Sequence, residues 1–525
     1  MTTTELADLD VSPTSGTFAA AYEQGVAQLV STKLVADLET PVSAYLKLTG
    51  AERGSAMSFL LESVEGGAVR GRYSIIGLKP DLVWRAHGEK AEINLDPSAD
   101  SEAFTPEPLP TLDALRALLD RSAIEVPEHL PPMAAGVFGY MGYDTVRLIE
   151  HLPKPRKDVL GVPDAILIRP TLMVIFDAVK DEMTLVTPVR PVDGVDARSA
   201  YAAAVTRLAG VAAALESPLS HPSLSSPQNV ALPEPVSNTT PAEYMDMVAK
   251  AKDYVVAGDV FQVVLSQRFS VPFALPPFTL YRALRRTNPS PFLFHLDFGG
   301  FSLVGSSPEI LVRVRNGEVT IRPIAGTARR GATAAEDQAL AEALLADPKE
   351  RAEHLMLLDL GRNDVGRVAE IGSVEVTERF IIERYSHVMH IVSNVIGRLD
   401  PKKDAIDALM AGFPAGTVSG APKVRAMEII DELEKDKRGP YAGCVGYFSA
   451  DGQMDTCIVL RTAIVKDGVM HIQAGAGLVY DSIPENEQQE CINKAKALVR
   501  AAEEAVRIAS RSTQSNSSGN GGQFA

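Results

Sequence analysis

The sequence predicts an α+β fold, because signals for antiparallel hairpins and for long helices occur together in it. Dipeptides that favour hairpin turns separate short apolar segments at Asn316-Gly317, Asp451-Gly452 and Asp467-Gly468. A capping box with proline at the first helical position begins a long segment of helical spacing at residues 240–243. Closely spaced hairpins among long helices are not the pattern of a doubly wound parallel sheet.

Length and composition predict two packed parts joined by a linker. The chain has 525 residues, 46% of them hydrophobic and 22% charged, which is typical of folded domains but long for a single one. Residues 216–240 hold five prolines and no apolar period, which indicates a linker. We therefore expect an N-terminal part over 40–215, a C-terminal part over 241–508, and disordered ends at 1–15 and 510–525.

The N-terminal part is predicted to be rich in strands. Helical spacing of apolar residues predicts helices over Leu112–Leu119 and Ala197–Leu215. Short apolar segments between turn signals predict strands. These segments are Ser58–Leu61, Arg70–Ile76, Leu82–Arg85 and Leu172–Phe176.

The C-terminal part is predicted to mix strands with capped helices. Residues 261–266 alternate, so that Phe261, Val263 and Leu265 share one face of a strand. Helix starts are indicated at Asp347-Pro348 and Ser482-Ile483-Pro484. Further predicted strands are Ser302–Gly305, Leu311–Val314, Val319–Pro323, Gly443–Ser449, Cys457–Ile464 and Val469–Ala474.

Charge and cysteine content exclude several classes of protein. The net charge of −16 disfavours binding to nucleic acid, and an anionic substrate would need local cations to hold it. Cys444, Cys457 and Cys491 have no CxxC spacing, so neither a zinc site nor a disulfide framework is indicated. No apolar segment is long enough to span a membrane and no signal peptide is evident, so we expect a cytoplasmic protein.

Several residues allow both a structural and a chemical interpretation. Glu353 and Glu490 lie early in two capped helices, where they could ligate Mg²⁺ if the helix starts converge, although Glu490 could equally pair with Lys494 at i,i+4. The glycines of 475–477 could present amides to an anion or form a bulge. His390, in an apolar segment, could be a catalyst or a structural hydrogen bonder.

Segments spread over residues 41–505 resemble the chorismate-utilising enzymes, and most closely the anthranilate synthase large-subunit family. The resemblance implies antiparallel sheets that form a sandwich-like core with helices packed outside, and two interlocked parts. The segments in the C-terminal part are Pro323–Thr327, Glu353–Leu360, Arg362–Asp364, Phe413–Lys423, Asp455–Arg461 and Gln473–Gly477. Two more, Leu60–Ser63 and Asn288–Pro291, resemble the tryptophan-binding motif of that family.

The resemblance implies a lyase of tryptophan biosynthesis that converts chorismate and ammonia to anthranilate and pyruvate. It implies Mg²⁺ as cofactor, feedback inhibition by L-tryptophan, and a glutamine amidotransferase subunit as the ammonia source. The cysteines lack the G-x-C-x-G setting of such a glutaminase, so the partner must be a separate chain. The family suggests a heterotetramer of two large and two small subunits.

The resemblance also assigns roles to individual residues. Glu309 matches the general acid, His390 the residue of pyruvate elimination, and Thr327 a contact at the C4 hydroxyl. The matched metal ligands are Glu353 and Glu490. The matched chorismate contacts are Gly326, Thr327, Tyr441, Arg461, Gly475, Ala476 and Gly477. The matched tryptophan contacts are Glu62, Ser63, Pro291, Phe292 and Leu293.

Two positions distinguish sister enzymes of the family. Isochorismate and salicylate synthases carry a lysine at the position of Gln262, where it activates water. Aminodeoxychorismate synthases carry a nucleophilic lysine at the position of Ala325. Both differences favour anthranilate synthase: Gln262 over isochorismate and salicylate synthases, and Ala325 over an aminodeoxychorismate synthase component. The other alternative, a non-catalytic tryptophan-sensing protein, would have lost the metal pair, which this chain keeps.

Overall fold

The computed structural model describes residues 9–50, 57–65, 69–153, 156–219, 232–385 and 388–517. Within these ranges the chain forms eleven α-helices and 23 strands. The helices are α1 Ser15–Tyr22, α2 Pro41–Thr49, α3 Thr111–Ser122, α4 Ala197–Glu216, α5 Pro241–Ala257, α6 Pro277–Thr287, α7 Ala334–Ala346, α8 Pro348–Gly366, α9 Ala405–Gly412, α10 Lys423–Leu433 and α11 Pro484–Ser517.

The strands belong to one antiparallel sheet. In the N-terminal part they are β1 Val11–Ser12, β2 Gln28–Val35, β3 Ser58–Glu65, β4 Val69–His87, β5 Lys90–Asn94, β6 Thr105–Pro106, β7 Gly136–Met141, β8 Ala165–Asp177 and β9 Glu182–Val189. In the C-terminal part they are β10 Val236–Ser237, β11 Gln262–Pro272, β12 Phe292–Asp297, β13 Phe301–Ser307, β14 Ile310–Arg315, β15 Glu318–Ile321, β16 Ile324–Arg329, β17 Glu375–Arg384, β18 Val388–Arg398, β19 Gly420–Ala421, β20 Cys444–Ser449, β21 Met454–Ile458, β22 Thr462–Lys466 and β23 Val469–Leu478.

The two parts interlock through shared strand pairs. β3 pairs with β12, with Ser63 opposite Phe292, and β7 pairs with β20, with Gly139 opposite Gly446. From β8 the sheet therefore continues in one direction through β4, β3, β12, β13, β22, β23 and β11, and in the other through β7, β20, β21, β14, β15 and β18. The segment 216–240 thus joins two parts of one sheet.

The sheet has an inner and an outer face, as the alternation of its side chains requires. Phe59 of β3 and Leu303 of β13 point into an inner apolar core, together with Phe138 of β7. Their neighbours Leu60 and Val304 point outward, into a second core that the sheet forms with α1, α2, α4, α6 and α11. A third core packs α3, α5, α8, α9 and α10 onto the other half. This arrangement agrees with the expected sandwich with helices outside.

Local signals located most elements correctly. Thr240 and Glu243 form the predicted capping box at the start of α5, and Asp347 caps α8 with its carboxylate. All three predicted hairpin turns connect paired strands, β14–β15, β20–β21 and β22–β23. Residues that favour helix caps and tight turns therefore form them where the local sequence predicts.

Several sequence predictions differ from the structure. The predicted strand Cys457–Ile464 is interrupted, because Arg461 adopts a positive φ of 49° between β21 and β22. Residues 475–477 lie within β23, whereas the predicted strand ends at Ala474. The two predicted strands Arg70–Ile76 and Leu82–Arg85 are parts of one long strand, β4. Phe261 precedes β11 and is exposed, so it does not share the buried face of Val263 and Leu265.

The predicted chain ends and linker also hold regular structure. β1 and the start of α1 fall within 1–15, and α11 extends to Ser517, into the predicted tail. β10 falls within the predicted linker, where it pairs with β11. The parts of these predictions at residues 1–8, 220–231 and 518–525 lie outside the described residues. None of the helices that the structure describes is long and apolar enough to cross a membrane.

Candidate active site

A cavity of about 590 Å³ collects most of the residues that the sequence singled out. It lies between β11 and β23 on one side and β16 and β18 on the other, and the first turns of α8 and α11 border it. Of the predicted catalytic, metal and chorismate contacts, all but Ala476 line it. Ala476 is fully buried in the core under β23, because adjacent residues of a strand face opposite sides.

Glu309 occupies the two-residue connection between β13 and β14, which turns its carboxyl group into the cavity. Its side chain is 7% exposed, and the Thr417 hydroxyl donates a hydrogen bond of 3.0 Å to its Oε1. Burial raises the pKa of Glu309 to about 8, although that hydrogen bond and the nearby Arg461 guanidinium oppose the shift. At neutral pH this group is therefore a carboxylic acid with a proton to give.

His390 lies on β18 opposite Thr327 of β16, where a bulge at Gly326 interrupts the pairing. The Nδ1 of His390 lies 2.9 Å from the carbonyl oxygen of Gly326 and 3.1 Å from Oγ1 of Thr327. Because a carbonyl oxygen only accepts, Nδ1 must carry the proton, which leaves a lone pair on Nε2. Burial lowers the pKa of His390, so the ring is a neutral base.

Arg461 provides a buried cation at the wall of the cavity. It connects β21 to β22, and among the described residues no carboxylate lies within ion-pair distance of its guanidinium. Burial lowers its pKa, with Glu309 and Tyr385 acting in the opposite direction. A desolvated guanidinium that faces a cavity is suited to bidentate binding of a carboxylate.

A buried ion pair packs against Tyr441, which lines the same cavity. Arg438 pairs with Glu434 at 2.6 Å, donates to the Val264 carbonyl oxygen at 2.7 Å, and lies 5.5 Å from the centre of the Tyr441 ring. Burial raises the pKa of the Tyr441 hydroxyl, so it is a donor at any physiological pH. The phenol and the Arg461 guanidinium line the same cavity.

Two glycines of β23 leave room for the polar groups that face them. A Cβ atom on Gly475 would lie 2.9 Å from the Tyr441 hydroxyl and 2.8 Å from the Leu265 carbonyl oxygen. A Cβ on Gly477 would lie 2.5 Å from Nε2 of Gln262. These contacts are too short, so side chains at 475 and 477 would displace the cavity wall.

Replacing Gly475 with alanine is expected to reduce ligand binding in this cavity. Overpacking of this kind costs about 1–3 kcal/mol, and here part of it falls on the Tyr441 hydroxyl. Thermal unfolding and the KM for the substrate would measure the two effects. Gly210→Ala is the matched control, because a Cβ there meets nothing within 4 Å. An unchanged KM in Gly475→Ala would contradict the assignment of this strand to the binding wall.

Carboxylates from two helix starts line the same cavity. Glu350 and Glu353 come from α8, and Glu487 and Glu490 from α11. Burial raises the pKa of Glu353, and the negative charge of Glu490 adds to the shift. Glu490 also forms the predicted i,i+4 ion pair with Lys494, at 2.8 Å. Both interpretations of Glu490 thus have a geometric basis.

The donor set fits a hard divalent cation that is completed by other ligands. In the part of the chain that the structure describes, no three His, Cys, Asp or Glu side chains cluster tightly enough to enclose a metal ion. Mg²⁺, however, usually binds through one or two carboxylates and takes its remaining ligands from water and substrate. Glu353 and Glu490 provide such a pair, and a cation would relieve the repulsion between them.

Gln262 closes the end of the cavity beside Glu353. Its Nε2 donates to Oε1 of Glu353 at 3.3 Å, while its own Oε1 is buried and has no hydrogen-bond partner among the described residues. The same is true of Oε1 of Gln473, which also lines the cavity. Two such acceptors suit a ligand that donates hydrogen bonds.

A second cavity, of about 730 Å³, collects all five residues predicted to bind tryptophan. The β3–β12 pairing brings them together, with Ser63 opposite Phe292 and Glu62 opposite Leu293. Glu62 is already held by Arg285, at 2.7 Å, and by the Tyr281 hydroxyl. The Glu62 carboxylate is thus already hydrogen-bonded within the wall of the cavity. Of the two polar side chains, Ser63 is the more accessible to a ligand.

Only a thin wall separates the two cavities. Pro308 and Ile324 line both of them, and Pro308 immediately precedes Glu309. Tyr385 lines the second cavity, and its ring packs edge-on against His390, with a centroid distance of 5.4 Å. A ligand in the second cavity would therefore contact residues that touch the groups of the first.

Sequence reasoning missed several polar residues of the first cavity. Glu350 and Glu487 each precede a predicted metal ligand by three residues, and this i,i+3 spacing on a helix start was a usable signal. Thr417 lies inside the recognised segment Phe413–Lys423, but nothing in that segment alone indicates its bond to Glu309. Tyr385, which lines the second cavity and packs against His390 of the first, gave no signal, since that contact is tertiary.

This fold and this cavity define a chorismate-binding enzyme. Residues 68–500 match the family model described as chorismate binding enzyme, so the chain belongs to that family. Anthranilate synthase component 1 of Cereibacter sphaeroides is 57% identical over 495 residues, covering 94% of this chain and 98% of the relative. Anthranilate synthase component 1 of Pseudomonas putida is 48% identical over 472 residues, covering 89% and 93%. Within the family, the chain therefore belongs with the anthranilate synthase component 1 proteins.

Solved structures agree with this assignment. Anthranilate synthase component I from Streptococcus pneumoniae is 39% identical and superposes with a TM-score of 0.72, covering 89% of this chain and 99% of that one. The menaquinone-specific isochorismate synthase of Escherichia coli is 20% identical and superposes with a TM-score of 0.69, covering 93% and 100%. The latter likeness shows the shared fold.

Proposed function

We propose that this chain forms anthranilate and pyruvate from chorismate and ammonia, as the names of its relatives indicate. The observation that carries the proposal is one cavity lined by the buried carboxyl of Glu309, the buried imidazole of His390 and the guanidinium of Arg461, which has no ion-pair partner among the described residues. These are an acid, a base and an anion receptor, which the reaction requires.

In the first step, ammonia adds to C2 of chorismate while the C4 hydroxyl leaves as water. Hydroxide is a poor leaving group, so the proton of Glu309 goes to the departing oxygen as the C–O bond breaks. Thr417 then stabilises the carboxylate that forms, through the hydrogen bond it already donates to Glu309. Arg461 and Tyr441 hold the enolpyruvyl carboxylate of the substrate.

In the second step, the proton at C2 is removed and pyruvate leaves as the ring becomes aromatic. Nε2 of His390 has the free lone pair for this proton, and the Gly326 carbonyl oxygen stabilises the resulting imidazolium through Nδ1–H. The overall balance is chorismate plus ammonia to anthranilate, pyruvate and water. The added nitrogen gives up one proton, which restores Glu309, and the proton taken from C2 is matched by one that the methylene carbon of the enolpyruvyl group gains as that group leaves as pyruvate.

Gln262 and Ala325 favour ammonia as the attacking nucleophile. An amide side chain cannot deprotonate water, and the unpaired Oε1 of Gln262 can accept a hydrogen bond from ammonia. Alanine at 325 cannot attack C2 covalently. These two residues disfavour hydroxylated products and the aminodeoxychorismate alternative.

Glu353 and Glu490 would hold Mg²⁺ in this proposal. The bound cation would neutralise the ring carboxylate of chorismate, which a protein of net charge −16 otherwise repels. The amides of the 475–477 segment flank the same carboxylate. A separate glutamine amidotransferase subunit, in a heterotetramer of two large and two small chains in the cytoplasm, would supply the ammonia.

An assay of the chain by itself tests the proposed function. Purified protein, chorismate, Mg²⁺ and an ammonium salt at alkaline pH are expected to give the fluorescence of anthranilate. Formation of 4-amino-4-deoxychorismate instead would transfer the assignment to the sister enzyme. Consumption of no chorismate by a folded, Mg²⁺-loaded protein would contradict the proposal.

Replacing Glu490 with alanine is expected to abolish Mg²⁺-dependent turnover and to leave tryptophan binding intact. One of two carboxylate ligands is lost, and the second cavity is built from other residues. Turnover against Mg²⁺ concentration and calorimetry with tryptophan measure the two properties. Glu485→Ala, an exposed carboxylate in the first turn of the same helix, is the control and should behave as the parent. Turnover unchanged in Glu490→Ala would refute the metal role.

We further propose that the second cavity binds L-tryptophan as a feedback inhibitor. Its wall combines apolar and aromatic side chains with a few polar groups, which suits an aromatic amino acid. The shared residues Pro308 and Ile324, together with Tyr385 against His390, give such a ligand direct contact with the catalytic wall.

Replacing Ser63 with arginine is expected to remove tryptophan binding while ammonia-dependent activity persists. The larger side chain would fill the cavity between β3 and β12, and no catalytic residue lies on these strands. Calorimetry measures binding, and the activity at saturating tryptophan measures inhibition. Undiminished binding in Ser63→Arg would rule out this cavity as the tryptophan site.

A further inference from the structure

A buried lysine joins the two ends of a chain segment behind the catalytic cavity. Nζ of Lys423, the first residue of α10, forms an ion pair of 2.9 Å with Oδ2 of Asp364 in α8. The same ammonium group donates to the carbonyl oxygen of Gly412, the last residue of α9, at 3.2 Å. The side chains of Lys423 and Asp364 are only 10% and 6% exposed. The lysine therefore closes residues 412–423 into a loop and ties both ends of this loop to α8.

The loop of residues 412–423 carries the hydroxyl group that holds Glu309. Thr417 lies near the middle of the loop and donates to Oε1 of Glu309 at 3.0 Å. This hydrogen bond favours the carboxylate, because it lowers the pKa of Glu309 against the larger effect of burial. The position of the loop thus decides where the acid points and how readily it gives up its proton.

Different contacts hold the two halves of the loop. In the second half, β19 pairs with β11, and the Val418 carbonyl oxygen accepts a hydrogen bond of 2.7 Å from Arg438. In the first half, the carbonyl oxygen of Gly412 accepts the bond from Lys423. Loss of that bond would let the first half shift relative to the second, with Thr417 at the junction.

Side-chain packing does not by itself fix this region. A small cavity of about 30 Å³ lies among Glu309, Thr417, Asp364 and Gly412, all of which line it. Protein interiors are otherwise closely packed, so a space of this size leaves the surrounding side chains room to move. The bonds of the lysine therefore contribute more to the position of the loop than they would in a closely packed wall.

We propose that Lys423, together with Asp364, is a positioning residue for the general acid of this chain. Lys423 does not line the catalytic cavity, and it acts through the loop by keeping the Thr417 hydroxyl within hydrogen-bonding distance of Glu309. This inference rests on the proposed function, in which Glu309 protonates the departing C4 oxygen. A purely structural role of the ion pair would instead give a less stable protein whose acid is unchanged.

Other charged and titratable groups surround Glu309, and most of them are independent of the lysine. The nearest are Arg461 between β21 and β22, Tyr385 after β17, His390 of β18, Arg322 between β15 and β16, Tyr441, and Asp364 of α8. Charged side chains at the starts of α8 and α11 line the same catalytic cavity. Removing Lys423 leaves Asp364 without its ion pair, and a carboxylate there would itself raise the pKa of Glu309. The test therefore needs a variant that also removes this charge.

Lys423→Met in the full chain, assayed with ammonium salts, is the first variant. Methionine keeps a similar length but donates no hydrogen bond. The kcat for anthranilate formation is expected to fall about 10- to 100-fold, as for a misplaced catalytic group, while the KM for chorismate stays within about threefold. The alkaline limb of the kcat profile at constant free ammonia should move upward by about one pH unit, because Glu309 loses a bond that favours its carboxylate.

The double variant Asp364→Leu/Lys423→Met removes both charges. Replacing a buried ion pair by apolar side chains is often neutral for stability, so this protein should fold even where the single variant does not. It leaves no unpaired carboxylate near Glu309, but the loop is still untied at Gly412. The same fall in kcat and the same upward movement of the alkaline limb are expected.

Thr417→Val shows whether the lysine acts through the loop. Removing the hydroxyl should itself lower kcat and move the alkaline limb upward, and adding Lys423→Met should then move the limb no further. Lys47→Met is the matched control. Nζ of Lys47 binds Glu39 at 2.5 Å and the Leu215 carbonyl oxygen at 2.6 Å, and Lys47 lines neither large cavity, so its loss should reduce stability and leave the limb unmoved.

The outcomes separate positioning from its alternatives. If the alkaline limb of the two lysine variants lies at the same pH as that of the parent, the positioning proposal is overturned, however far kcat falls. A shift of equal size with and without the Thr417 hydroxyl also overturns it, because the lysine would then act through its charge. A parent that makes no anthranilate from chorismate and ammonium salts contradicts the proposed function itself.

Discussion

Glu309→Gln is expected to lower kcat for anthranilate formation by about 10²- to 10⁴-fold, the usual contribution of a general acid. Glutamine has nearly the same shape, and its side-chain oxygen can still accept the hydrogen bond that Thr417 donates. It lacks the proton that the leaving oxygen needs. The KM for chorismate should change little, because this group acts as the C–O bond breaks.

The pH profile tests whether the acid is Glu309. Burial raises the pKa of Glu309 to about 8, so the protonated, active form is lost as the pH rises through this value. The rate at constant free ammonia should fall on the alkaline side of about pH 8 and also at acidic pH, where His390 takes up a proton. In Glu309→Gln the alkaline fall should disappear. An alkaline limb that persists in the variant would assign it to another group.

Stability offers a control that does not depend on turnover. A carboxyl group whose folded pKa lies near 8 instead of the ordinary 4.5 favours the folded state below pH 4.5, and this contribution is lost as the pH rises through 8. The glutamine variant does not ionise. Its melting temperature should therefore rise relative to the parent between pH 6 and pH 9, while its activity stays low.

Local sequence patterns predicted the helices and turns well. They did not reveal which distant strands pair with each other. The capping box at Thr240 and the Asp467-Gly468 turn act within four residues, so their sequence is sufficient. The β3–β12 pairing joins residues more than 200 positions apart, and no local pattern encodes it. That pairing creates the second cavity, which only the family resemblance anticipated.

The candidate active site was likewise predictable from local sequence only in part. Residue types at helix starts suggested Glu353 and Glu490, and the structure brings both to one cavity. Residues 457–464 are apolar and β-branched almost throughout, which is why they resemble one strand. The left-handed backbone of Arg461 breaks it. Strain of this kind arises from tertiary structure and is concentrated at functional sites, so a local pattern could not reveal it.

Arg461→Met is expected to reduce kcat/KM for chorismate by about 10²- to 10⁴-fold. The guanidinium would donate two charge-assisted hydrogen bonds to one carboxylate, each worth about 1.5–3 kcal/mol. Arg461→Lys keeps the charge but not the planar fork, so it should fall between the parent and the methionine variant. Equal kcat/KM in all three proteins would show that Arg461 does not bind the substrate.

Arg461→Met should also make the protein more stable, because the buried charge at this position serves to bind a ligand and does not support the fold. The guanidinium is desolvated without an ion-pair partner among the described residues, and burial lowers its pKa, which marks an unfavourable charge. Methionine removes that charge and keeps a similar length. The positive φ is equally unfavourable for both residues, so strain does not separate them. A higher melting temperature with lost activity is therefore the expected result, and chorismate should raise the melting temperature of the parent alone. A lower melting temperature for Arg461→Met would indicate that Arg461 instead supports the fold.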